Sequence, residues 1–316
     1  MNFELRTKGI ILVIIGAMLW GVSGTVAQYL FQEKGFSTEW LVVIRLLVSG
    51  IILLVYSLMK GDKNVWKIWR TKHDAFSLML YGVVGMIGVQ YAYFAAIKYG
   101  NAATATILQY LSPVIITCYL TILAKKLPNM KELTAIVLAI LGTFLIITKG
   151  NINSICISKE TLFWGIISAF AAAFYTLYPR HLLARWGSIL IAGWGMLIGG
   201  IAFSFVHQPW NFTGEWCVGS MVAVIFVVIF GTLVAFCCYL QSLKYIKPTE
   251  ASVLSSMEPL SAALLSVVWL QVPLGIAQWI GTACIISTVI ILSMAKGNNQ
   301  DKDKHLKEKY LIDKEA

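Results

Sequence analysis

Charge is what this chain has least of. Only 13% of its 316 residues are Asp, Glu, Lys or Arg, against roughly 25% in a typical soluble domain. With 58% of residues hydrophobic and a mean hydropathy of +0.76, the composition is that of an integral membrane protein. Other absences narrow the function. No G-x-x-x-x-G-K-[ST] run occurs, so the chain has no loop of the kind that cradles ATP phosphates. The histidines (73, 181, 207 and 305) fall in loops, at segment ends or in the tail, and the six cysteines show no C-x-x-C spacing. Neither a metal centre nor a disulfide framework is suggested, and no cofactor is expected. Convergent acids, bases or nucleophiles at one depth, which an intramembrane enzyme needs, are also missing. The expectation is a protein that is not an enzyme.

What is present is ten apolar segments, near 9–30, 40–59, 75–97, 102–123, 132–148, 161–178, 188–206, 216–243, 249–270 and 275–295. Each is close to the ~20 residues that a helix needs to cross a bilayer. The first follows Arg6 and Lys8 without a small-residue cleavage site, so it reads as a retained helix rather than a signal peptide. Net charge is +10, but its distribution points to the lipid bilayer as partner and not to nucleic acid. When the connections are assigned alternately from a cytoplasmic N-terminus, only Lys34, Lys98, Lys149 and Lys159 fall outside, Arg45 lies within a span, and the other 20 of the 25 basic residues are cytoplasmic. The positive-inside rule then predicts a multi-pass protein of the cell membrane with both termini in the cytoplasm. Trp66 and Trp69, set among lysines, read as headgroup anchors, and the charged stretch 296–316 as a solvated tail.

Residues 93–113, "YFAAIKYGNAATATILQYLSP", align without a gap on 239–259, "YLQSLKYIKPTEASVLSSMEP". The pairs Tyr93/Tyr239, Lys98/Lys244, Tyr99/Tyr245 and Pro113/Pro259 are identical at a constant offset of 146. Such a match predicts an internal repeat. Five spans per copy is an odd number, so the second copy must be inverted, the arrangement used by secondary transporters. The division expected is a cytoplasmic N-terminus 1–8, a first half 9–148, a linker 149–160, a second half 161–295 and the tail 296–316.

Within this frame a few residues stand out. Pro113 and Pro259 lie near the middle of the fourth and ninth segments, where each is expected to free a backbone carbonyl, that of Gln109 and that of Ser255. Matching interruptions in two halves mark a transport site. Glu258 is the one carboxylate far from a segment end, and its repeat-equivalent is Ser112. A carboxylate at that depth must face the interior, pair, or hold a proton. Arg45 either snorkels to the interface or closes the mouth of a cavity; an Arg45–Glu258 pair is conceivable. Trp20, Gln90, Tyr91, Gln109, Ser112, Tyr175 and Ser255 complete the candidate substrate wall, with Glu258, Arg45, Pro113 and Pro259 as coupling or gating candidates.

The "LWG" of Leu19-Trp20-Gly21, Arg45 in the next span, and the blocks ending "LSP" and "MEP" resemble the drug/metabolite transporter superfamily, specifically its EamA family of ten-helix carriers. That resemblance implies two five-helix repeats around a central cavity and the export or uptake of amino acids, metabolites or related solutes. One departure is visible: where the family often carries Gly-Glu after the fourth and ninth helices, this chain has Lys125-Lys126 and Gln271-Val272. The expected function is a secondary active transporter of small metabolites, amino acids or related solutes foremost, working by alternating access with proton or ion coupling, as a monomer or homodimer. The alternatives are a carrier of choline-like cations or other metabolites, or a membrane channel.

Overall fold

The structure is a computed structural model that describes residues 3–61, 64–125, 127–151, 157–246 and 248–292. The tail at 296–316 and Lys126 therefore lie outside the described residues. Among the described residues there is no β-strand. The helices are α1 Phe3–Gln32, α2 Thr38–Met59, α3 Lys72–Tyr99, α4 Ala102–Leu123, α5 Met130–Thr148, α6 Lys159–Leu177, α7 Ser188–Ser204, α8 Val218–Ser242, α9 in two pieces, Pro248–Leu254 and Met257–Val268, and α10 Ile276–Leu292. Seven of these are long and apolar enough to cross a membrane on their own; α7, the second piece of α9 and α10 are shorter apolar helices.

Capping side chains set several of the starts. Ser37, Asn101 and Ser158 accept the backbone N–H three residues on, and Asn129 with Glu132 forms a reciprocal capping box. Each such cap contributes about 1 kcal/mol. α1 begins earlier than the apolar pattern suggests, because Glu4, Leu5 and Arg6 are good helix formers and Arg6 is held by an ion pair to Glu250 of 2.7 Å.

The packing is reciprocal. α1 lies against α8 and α9, α6 against α3 and α4, and α2 against α7. At the α2–α7 crossing a Cβ on Gly50 would stand 2.6 Å from the Leu197 nitrogen, so only glycine lets the backbones approach this closely. α3 and α8 each contain a π-helical stretch, Tyr81–Met86 and Phe226–Val234. Adding the repeat offset of 146 to 81–86 gives 227–232, inside the second stretch.

Alternate connections gather at two opposite ends of the bundle. At one end the Trp40 indole donates to the Pro209 carbonyl (2.8 Å) and Gln32 to the Gly100 carbonyl (2.8 Å). At the other, Arg185 pairs with Asp74 at 2.9 Å and the Trp194 indole donates to the Val65 carbonyl at 2.9 Å. Trp66 and Trp69, read from the sequence as headgroup anchors, also pack on the protein: their rings stand edge-on to Trp194, at 5.3 and 5.1 Å, and fasten residues 64–71 to α7.

Candidate functional site

Both α4 and α9 stop and restart. α4 ends its first piece at Gln109 and resumes at Ser112; α9 ends at Leu254 and resumes at Met257. Pro113 and Pro259 sit in the first turn after each restart, where the N–H that proline lacks has no partner in any helix. The prolines thus begin helices rather than interrupt them from within, and the Ser255 carbonyl, expected to be left free by Pro259, is bonded. The restart also places Glu258 in a first turn, at the positive end of a helix dipole. The carbonyl of Ser255 accepts the Glu258 N–H at 2.9 Å and the hydroxyl of Tyr110, from the break in α4, at 2.7 Å. The same hydroxyl lies 3.0 Å from Glu258 Oε2.

These groups face a cavity of about 650 Å³, within the ~300–1,000 Å³ range of small-molecule sites. Trp20, Arg45, Gln90, Gln109, Ser112, Pro113, Tyr175, Ser255 and Glu258 all contribute to its wall. Tyr91 and Pro259 do not. One residue along a helix is a rotation of about 100°, and Tyr91 points away from Gln90: its hydroxyl donates to Glu39 at 3.0 Å and its ring meets Trp164 and Phe203. Pro259 is buried off the wall. Tyr178 stacks on Phe174 at 4.8 Å.

Arg45 is 7% exposed, so it does not snorkel. Its Nε donates to Thr232 Oγ1 at 2.6 Å, its Nη2 to the Gly231 carbonyl at 3.2 Å, and the Phe94 ring lies 5.0 Å from the guanidinium carbon. Thr232 in turn donates to the Val227 carbonyl five residues back at 2.9 Å, so the π-helical stretch of α8 presents the acceptors that hold Arg45. The ion pairs among the described residues involve Arg6, Lys34, His73 and Arg185; Arg45 and Glu258 are not joined. A guanidinium and a carboxyl group thus face one cavity without meeting at contact distance.

The wall also includes Ser23, Tyr93, Tyr110, Thr232, Phe236 and Tyr239, none of which is among the site residues expected from the sequence. Tyr93 and Tyr239 are identical across the repeat, a signal that was present. Thr232 carried none, since a π-helical register is invisible to a 3.6-residue period.

Outside the cavity, His73, Asp74 and His181 bring their ligand atoms within 4.8 Å of one another. Asp74 Oδ2, however, already accepts Arg185 and the Trp186 indole, both at 2.9 Å, and Lys72 and Arg180 flank the group in sequence. Cations already compensate this carboxylate. The cluster ties α3 to the short helix Arg180–Trp186.

The profile of the EamA-like transporter family matches residues 7–148 and again 159–294. The inner membrane transporter YicL of Salmonella typhimurium is 42% identical over 290 residues, covering 91% of this chain and 95% of YicL. Transporter YwfM of Bacillus subtilis is 25% identical over 286 residues, covering 90% of this chain and 93% of its own. One solved protein crystal structure superposes with a TM-score of 0.61 at 17% identity, covering 92% of this chain and 98% of its own, a likeness of fold.

Proposed function

We propose that this chain, a membrane transporter that belongs to the EamA-like transporter family, is a secondary carrier of amino acids or related zwitterionic solutes that works by alternating access. The observation that carries this reading is the unpaired juxtaposition of Arg45 and Glu258 on one cavity. An α-amino acid offers a carboxylate to the guanidinium, which has five donors and spends two on Thr232 and Gly231. It offers an ammonium to Glu258 and the Ser255 carbonyl. Trp20, Tyr93, Tyr175 and Tyr239 supply aromatic wall for a side chain. A choline-like cation also suits the aromatic rings and Glu258, but leaves Arg45 unanswered and repelling.

A carrier is favoured over a channel by the unequal ends of the bundle. The cavity wall extends to Leu183, Ser188 and Leu243, beside the 178–187 and 243–247 connections. At the opposite end Phe36, Trp40, Phe212 and Trp216 close on one another with ring centroids 5.1 to 6.3 Å apart. The charge distribution makes the cavity side cytoplasmic, with both termini there. Two inverted halves, 9–148 and 161–295, joined by the linker 149–160, are supported by the matched breaks, the matched π-helical stretches and the reciprocal packing of α1 and α6. Rocking of one half against the other then opens the aromatic end. With no ATP loop in the sequence, a solute or proton gradient supplies the work.

A thermal-shift screen of the purified full-length protein tests the substrate class, since ligand bound to the folded state raises stability by mass action. Stabilisation by one or more zwitterionic amino acids, and not by their amine or methyl-ester counterparts, is the expected result. Stabilisation by quaternary amines alone moves the assignment to the cation carrier. Uptake into proteoliposomes that never saturates with solute concentration replaces the carrier with a channel.

A further inference from the structure

We propose that Tyr110 is a positioning residue that makes the proton and the substrate ammonium mutually exclusive at the break in α9. The proposal rests on the reading of Glu258 given above. The phenol has one proton and two acceptors in reach, the Ser255 carbonyl at 2.7 Å and Glu258 Oε2 at 3.0 Å. When Glu258 is ionised, the charged oxygen draws that proton, because charge-assisted hydrogen bonds are the stronger kind. The Ser255 carbonyl then keeps only the Glu258 N–H, and its second lone pair faces the cavity beside a carboxylate. A substrate ammonium meets two acceptors.

When a proton from cavity water adds to the carboxylate, the resulting acid has an O–H of its own. It donates to the Tyr110 oxygen, and the phenol proton turns wholly onto the Ser255 carbonyl. No covalent bond other than the new carboxyl O–H forms, and none in the protein breaks. Both acceptors are then occupied and the charge is gone, so the ammonium has no seat. The arrangement also links the two halves of the chain: the donor sits at the break in α4, the acceptors at the break in α9.

Among the described residues, the surroundings of Glu258 supply no second route of this kind. α1, packed against the second piece of α9, brings Gly21 and Trp20 and no titratable group. α4 brings Tyr110. α3 brings Tyr93, whose hydroxyl is bonded to Thr106 at 2.8 Å. α2 brings Arg45, held by Thr232. α8 brings Tyr239, which lies against the Trp20 ring. Of these hydroxyls only that of Tyr110 bonds the carboxylate.

The experiment measures substrate affinity against pH in proteoliposomes for wild type, Tyr110→Phe, Glu258→Gln and a chain carrying difluorotyrosine at 110, which has the shape of tyrosine with a more acidic hydroxyl. The expected result is a midpoint of the pH profile displaced by about half a unit or more in Tyr110→Phe, displaced the opposite way with difluorotyrosine, and no profile at all in Glu258→Gln. Should Tyr110→Phe fail to fold, the difluorotyrosine protein alone decides the matter. Profiles for Tyr110→Phe and difluorotyrosine that overlay wild type overturn the role of Tyr110 while leaving Glu258 in place. A profile that persists in Glu258→Gln overturns the reading of Glu258 itself.

Discussion

At 109–113 the chain reads Gln-Tyr-Leu-Ser-Pro and at 255–259 Ser-Ser-Met-Glu-Pro, and both stretches stop a helix and restart it with proline in the first turn. The backbone solution is shared; the side chains are not. Tyr110 stands where the second break has Ser256, and Ser112 where it has Glu258. Tyr110 reaches across to the opposite break, whereas Ser256 Oγ is buried without a hydrogen-bond partner. The repeat has kept the geometry that opens a polar gap mid-span and divided the chemistry, a donor to one half and an acid to the other. Under the proposal for Tyr110, only their meeting makes a site that can tell a proton from a cation.

The comparison breaks most severely if the second break is made like the first. Glu258→Ser removes the acid and leaves a cavity with one uncompensated charge, Arg45. Losing one partner of a buried charge-assisted contact costs about 2–5 kcal/mol, so the affinity for a zwitterionic solute should fall by roughly 30-fold or more, read as Kd by calorimetry. Adding Ser112→Glu should not restore it, because the repeat-equivalent of Tyr110 is Ser256 and not a tyrosine. Recovery in the double variant would show that the breaks are interchangeable after all.

Arg45→Lys comes next. An ammonium cannot span Thr232 Oγ1 and the Gly231 carbonyl as the guanidinium fork does. The expected loss is about tenfold in Kd, or ~1.4 kcal/mol, for solutes with a free carboxylate, and little for amines without one. An equal loss for both classes would place Arg45 in the scaffold.

How much of this was legible follows the same division. The ten segments and the two interruptions were readable, because hydropathy and proline leave marks at fixed positions. Trp20, Gln109, Ser112 and Glu258 were reachable because each lies in or beside a marked motif. Tyr110 was passed over although it neighbours Gln109, since its role depends on where the other half's break falls. Tyr91 is a candidate by residue type alone, as an aromatic side chain of the third segment, and its hydroxyl goes to Glu39 instead. Arg45 could not be aimed from sequence because its acceptors exist only in the π-helical register of α8. Contacts between halves are what a one-dimensional pattern leaves out.

A smaller effect concerns the frame that holds the breaks at one level. Gly50→Val would drive α2 from α7 at the Leu197 backbone, at about 1–3 kcal/mol for overpacking. Thermal unfolding in detergent should report that loss, with the pH profile of binding unchanged. A displaced profile would mean that the crossing itself tunes the site.

The smallest expected effect sharpens the direction of the comparison. α4 starts at the same end of the bundle as Cys217, and α9 starts at the other, so the side from which Cys217 is reached decides from which side each break is approached. Cys217 is exposed, and its sulfur accepts the Ser220 backbone N–H at 3.4 Å, which together with the Ser220 side chain and Lys34 holds the thiol below its ordinary value. The thiolate is the reacting form. In a chain whose only cysteine is Cys217, an impermeant maleimide added to intact cells should therefore label it, and at neutral pH faster than a cysteine placed at exposed Asn211. The two rates should converge as the pH rises above the ordinary thiol value, where both sites are ionised. Labelling of Cys217 only in inside-out vesicles would reverse the orientation inferred from the basic residues, and the cavity would then face the outside.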